Sequence, residues 1–222
     1  MSGELELDAA EGFLEPRLRE ELPGLTLRWL TIPARAGRST DELEARLRSL
    51  SNRFRGESVV TMRTQPIPRA YRVFYRQIGL DPDVTRIPSE AAAVSRLLHG
   101  RLVPRDAIAD ALLVAVVETG VPVWALDAER VDAGGLGIRT GGSGGRLGLT
   151  EDGAPVAEGQ LVVADSRCVH AVLFGDIAPG HAPGPGTTRV ALFGIGVAGV
   201  PQVHIEEALW TAAGLLGHAS GS

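Results

Sequence analysis

The chain of 222 residues carries 22 basic and 27 acidic side chains, a net charge of −5, and all of its basic residues are arginines. Without lysine, P-loop phosphate binding, Schiff-base chemistry and protein-kinase catalysis are excluded, because each depends on a lysine amine. A single cysteine, Cys168, excludes an internal disulfide and any cysteine-rich zinc site.

The charge is unevenly spread: residues 1–52 sum to −3, residues 53–105 to +6 and residues 106–222 to −8. The middle third could face a phosphate backbone, but the whole chain would not be drawn to nucleic acid by charge alone. No apolar run approaches the ~18 residues that would cross a bilayer. The acidic start, Met1–Glu11, has no apolar core of a signal peptide, so the expected address is cytoplasmic.

Residues 1–55 read as an N-terminal extension with one strand and one or two helices. Leu25–Ile32 alternates well enough for a strand. Ser39 with Glu42 forms a capping-box pattern ahead of Leu43, Leu47, Leu50 and Phe54 at helical spacing. The clearest helix lies over residues 66–80, where Pro68 suits a first turn and Tyr71, Phe74, Tyr75 and Ile78 form a core-facing stripe. Arg69, Arg72 and Arg76 fall on roughly the opposite face, as a solvated stripe or as an edge facing RNA. Ser89 is the expected cap of a helix over Glu90–Leu98, with Gly100 past its end. Residues 107–117 are almost wholly apolar and predict a buried helix or strand.

From Gly120 the texture becomes short strand candidates separated by glycine: Val121–Leu126, Leu136–Arg139, Arg146–Leu149, Gln160–Ala164, Val169–Phe174 and Thr188–Val197. Seven glycines crowd residues 133–145. With no lysine and no strand–glycine–helix context, they predict a hairpin or flap rather than a nucleotide loop. A helix over 205–216 closes the chain. No repeat or linker divides it, so a single α+β domain is expected.

Three stretches in order carry a resemblance: Arg69–Leu98; Asp110 to Val131, containing the run Gly120-x-Pro122-x-x-Ala125-x-Asp127; and Leu147–Asp165. Together, over residues 60–200, they resemble the B3/B4 domain of the phenylalanyl-tRNA synthetase beta subunit and its free-standing relatives. The resemblance implies a multi-layer fold with a mixed β-sheet core and flanking helices. It also implies a cleft for a tRNA 3′ end and hydrolysis of a wrongly attached aminoacyl ester. The implied partners are tRNA or aminoacyl-tRNA, or alternatively a small amino-acid-like ligand bound without catalysis. The implied substrate-contact positions are Asp110, Trp124, Ala125 and Phe193, with Arg69, Arg72 and Arg76 nearest the RNA. Trp124 stands where the synthetase has a histidine, Phe193 where it has a glutamate, and Asp106 and Ala107 where it has an asparagine pair. The pocket should therefore be more apolar than in the synthetase.

Of the remaining chemistry-bearing residues, Cys168 and His170 alternate onto one strand face but show no orienting acid in the sequence. Asp127 suits an Asx turn or a bond to Arg139. The other histidines, His99, His181, His204 and His218, are scattered. The expectation is therefore no metal site and no cofactor.

Overall fold

The computed structural model describes residues 8–53, 61–150 and 153–219. Among these the architecture is α+β, with six α-helices and two four-stranded sheets. The first sheet is antiparallel and contains β1 (Ala10–Glu11), β3 (Thr26–Pro33), β8 (Arg189–Gly196) and β4 (Val123–Asp127), in the order β1-β3-β8-β4. The second is mixed: β2 (Phe13–Leu14) runs parallel to β5 (Gly137–Thr140), which continues antiparallel through β6 (Leu161–Ala164) to β7 (Val169–Val172). The helices are α1 (Pro16–Glu21), α2 (Asp41–Arg53), α3 (Pro66–Gln77), α4 (Pro88–His99), α5 (Ala107–Thr119) and α6 (Gln202–Ala219). No described helix is long and apolar enough to cross a membrane.

Strand β8 is the centre of the molecule. It pairs with β3 over eight residues and with β4 over five, and everything in it from Val190 to Gly196 is buried. On one face, Gly194 lets α6 come close: a Cβ there would lie 2.9 Å from Ile205 Cγ2. The opposite face, bearing Phe193 and Ile195, meets α3, whose Tyr71 hydroxyl donates to the Ile195 carbonyl at 2.6 Å. The predicted stripe on α3 holds, since Tyr71, Phe74 and Tyr75 are all buried. The apolar run 107–117 is a helix, α5. Asp106 caps its start by accepting from Ala109 N at 2.9 Å, and Gly120 ends it in the left-handed region.

Two expected caps are not caps. Thr40, not Ser39, accepts from Leu43 N at 3.3 Å at the start of α2. Ile87 holds the N-cap position of α4, while Ser89 sits inside the first turn, its hydroxyl buried and without a partner among the described residues. Phe54 lies outside the described residues. Arg146–Leu149, read as a strand, makes only isolated bridges, to Pro155 and Val169.

The sequence gives no sign of β1 and β2, which are two residues each. They are short because Gly12 carries the chain from one sheet to the other between them. Gly12 N donates to the Leu27 carbonyl at 2.8 Å. A Cβ on Gly12 would lie 2.6 Å from both the Leu136 carbonyl oxygen and Leu27 Cδ2, one atom from each sheet. Replacing Gly12 by alanine should therefore force the seam apart. The expected loss is about 1–3 kcal/mol in chemical denaturation; unchanged stability would show that the seam yields freely.

Candidate functional site

After α5, the chain turns at Gly120, which has φ of 76°, and enters β4. The antiparallel register sets Trp124 opposite Phe193. Their rings stack with centroids 5.6 Å apart and planes at 15°. Both positions that the resemblance marks therefore lie on one face of one sheet. The space they border is filled. Phe174 enters it with its ring 5.5 Å from Trp124, 4.9 Å from Tyr75, 5.9 Å from Phe74 and 6.1 Å from Tyr71. What remains between Trp124, Val163, Leu173, Phe174, Phe193 and Ile195 has no room for a water molecule. Phe193, 2% exposed, is thus core rather than a substrate contact. Ala125 alternates away from Trp124 and pairs with Leu192 on the α6 side, so it shares no pocket with the tryptophan.

Phe174 was expected at the end of a strand. Instead it stands in a tight turn in which Gly175 N bonds to the Val172 carbonyl and Val172 N to the Asp176 carbonyl. Its φ of 60° is the only positive value outside glycine among the described residues. A bulky residue held there is strained by about 1–3 kcal/mol. Edge and tilted contacts with four rings, each worth roughly 0.5–1.5 kcal/mol, are what hold it. Phe174→Ala should cost about 2–4 kcal/mol, less than a fully buried ring because this one is half-buried. Phe174→Gly should cost less than Phe174→Ala by about 1 kcal/mol, since glycine removes the backbone strain. Urea unfolding of the pair decides it, and a more stable alanine variant would remove the strain from the account.

Trp124 also borders an open groove of about 640 Å³ between α4, α5 and the start of β4. Its walls are apolar, including Ala92, Leu112, Leu113 and Val116, and its polar atoms come from Ser95, His99 and Arg105. His99 Nδ1 lies 2.8 Å from the Ser95 carbonyl, which only accepts, so in the neutral ring Nδ1 carries the proton and Nε2 the lone pair. None of these polar residues was singled out by the sequence, because nothing in local spacing sets α4 beside Trp124.

Asp110 does not reach the groove. It is fully buried, and both its oxygens are engaged, Oδ2 by the Ser39 hydroxyl at 2.5 Å and Oδ1 by Arg105 N at 2.9 Å. It is a strut between the approach to α2 and the start of α5. Asp127 likewise is structural, accepting from Glu129 N at 3.0 Å and from the Thr187 hydroxyl at 2.8 Å rather than from Arg139.

The arginine stripe divides. Arg69 and Arg76 are exposed, and Arg76 lies 3.8 Å from Asp83. Arg72 is buried and cannot meet RNA. It bonds both oxygens of Glu90, at 3.0 and 2.9 Å, and Asp83 Oδ1 at 2.7 Å. Burial disfavours the Arg72 charge, yet the two carboxylates outweigh it and raise its pKa above the usual arginine value. Removing Arg72 would leave Glu90, itself 2% exposed, with only Arg63 at 3.8 Å as an ion-pair partner among the described residues. Arg72→Ala should cost about 3–5 kcal/mol, and Arg69→Ala less than about 0.5 kcal/mol. Comparable losses in denaturant would refute this division.

A second cluster joins residues that the sequence left apart. Pairing between β6 and β7 steps from Val163 opposite Ala171 to Ala164 opposite Val169, leaving His170 as the extra residue of a bulge, which re-aims its side chain. His170 Nε2 lies 2.9 Å from Asp165 Oδ2, and its Nδ1 lies 2.8 Å from His181 Nδ1. Asp165 is thus the orienting acid that the sequence did not reveal. Burial pushes its carboxyl up, but the backbone N–H of Cys168, those of Asp132 and Arg167, and the His170 ring outweigh this and hold it below the ordinary carboxylate range. Cys168 Sγ is 4.0 Å from His170 Nε2. Its pKa is raised by burial and by the Asp165 charge, so it is no activated nucleophile. His181, far from scattered, is held at this cluster by its N–H to the Ala178 carbonyl and by its own carbonyl, which accepts from Asp127 N. Burial, then the neighbouring His170 and Arg130, lowers its pKa.

No family model matches the chain, and no curated protein matches it.

Proposed function

We propose that this chain recognises aminoacyl-tRNA in the manner of a free-standing B3/B4 domain and removes a wrongly attached aminoacyl group in trans. The groove beside Trp124 receives the aminoacyl side chain. The observation that carries the reading is that Trp124, a position the resemblance ties to substrate, forms a wall of the groove. An apolar groove of this size suits a hydrophobic side chain and would read a hydroxyl poorly. Arg105, which lines the groove, suits the phosphate on the 5′ side of the terminal nucleotide. An aminoacyl ester is already activated, so a positioned water can suffice. The lone pair on His99 Nε2 is suited to take that water's proton as its oxygen attacks the ester carbonyl; the bond to the ribose oxygen then breaks, the ribose alkoxide takes that proton back from His99, and the free amino acid is released. Arg69 and Arg76 are the exposed cations of α3 available to the RNA backbone.

A second reading, recognition without hydrolysis, is favoured by one observation. The positions that are polar in the synthetase hold Trp124 and Phe193, stacked on each other. Purified protein incubated with a panel of correctly and wrongly charged tRNAs separates the readings. Deacylation of at least one species well above the no-protein rate is expected, falling about 100-fold in His99→Ala. Binding without deacylation supports the second reading, and neither binding nor deacylation refutes both.

A further inference from the structure

We propose that Cys168, His170 and His181 form a binding site for a thiophilic divalent transition metal ion such as zinc. The site is independent of the groove and of any action on tRNA. One ligand atom from each residue lies within 4.8 Å of the others, and all three side chains are buried. Zinc bonds of about 2.0–2.3 Å set neighbouring tetrahedral ligand atoms about 3.3–3.6 Å apart. The Nδ1 atoms of the two histidines must part by about 0.5–0.8 Å from 2.8 Å, and Cys168 Sγ, now 4.0 Å from His170 Nε2, must turn toward the Nδ1 side of that ring. Two histidines and one thiolate suit zinc, and copper or cobalt as well.

The surroundings are those of a ligand set rather than of ordinary core. Asp165 accepts from His170 Nε2 and so fixes the proton on that nitrogen, leaving the Nδ1 lone pair aimed at His181. Carboxylate support of the ring nitrogen that does not face the metal is the usual companion of a metal-ligating histidine. Asp165 is in turn held by the N–H groups of Asp132, Arg167 and Cys168. The bulge at His170 turns the ring toward His181.

The protons balance simply. In the metal-free pair, the Nδ1 atoms share one proton, carried by His181. On metal binding this proton moves through solvent to His181 Nε2, the Cys168 thiol proton leaves to water, and both Nδ1 lone pairs and the thiolate turn to the ion. Three protein ligands leave a fourth tetrahedral position for water.

The test uses the full chain, stripped with a chelator and titrated with zinc and with cobalt(II). One equivalent of zinc per chain is expected, and the cobalt form should show a near-ultraviolet thiolate-to-metal band. Cys168→Ser should abolish that band, and His181→Gln should weaken zinc at least tenfold, with circular dichroism confirming that both variants fold. Substoichiometric zinc, a cobalt form without the thiolate band, or unchanged affinity in both folded variants would each overturn the site. If neither variant folds, the thiolate band of the unmodified protein decides alone: its presence supports the site and its absence overturns it. Failure to deacylate any tRNA would leave this result untouched.

Discussion

One strand has to satisfy two cores at once. β8 is hydrogen-bonded on both edges and buried on both faces, so any residue in it answers to two partners. On the α6 side it gives up side chains altogether at Gly194 and Gly196, and the helix packs against bare backbone. On the other side it offers Phe193 and Ile195 to α3 and the second sheet. A sheet sandwiched in this way reads as a continuous apolar run with glycines rather than as an alternation. That is the texture of Arg189–Gly196, and it explains why a polar group at the Phe193 position would be costly in this chain.

The aromatic pit follows from that constraint. With Phe193 committed to the core and Trp124 stacked on it, the turn after β7 contributes Phe174 and completes a six-ring cluster with α3. The groove is bounded by α4, α5 and the start of β4, not by the space between the two sheets. Binding capacity therefore lies between helices and one strand end, while the inter-sheet space is spent on stability. The cluster of Asp165, Cys168, His170 and His181 lies beyond the main core, near the smaller apolar set of Leu147, Val162, Ala164, Val169 and Ala178.

Local pattern revealed most of the elements. The stripe Tyr71–Tyr75, the buried run 107–117 and the β-rich second half all form as periodicity indicates. What it missed depends on contacts between distant residues. Ser39 has a good capping pattern, but Asp110, seventy-one positions later, claims its hydroxyl. Arg72 sits on the arginine stripe by spacing, yet Glu90 and Asp83 fold back over it. A bulge defeats strict alternation at His170, and the loop that returns His181 to the same place has no periodicity to read. The two-residue strands flanking Gly12 are too short for any pattern. The resemblance puts Trp124 and Phe193 in one pocket, and they do share a face, but the residue that fills the space they border, Phe174, is fixed by a turn whose backbone angle no composition signals.

The pairing of β3 with β8 also shapes how the molecule comes into being. Thr26 lies opposite Gly196 and Pro33 opposite Arg189, so the earliest long strand must wait for one of the last. At about 5–20 residues per second of synthesis, that wait is on the order of ten to thirty seconds. During it, Thr26–Pro33 has only the two-residue β1 to pair with, and loop closure over such a span is slow. The nascent chain is therefore obliged to shelter this segment, against its own early helices or a chaperone, until the strand that will hold both cores has left the ribosome.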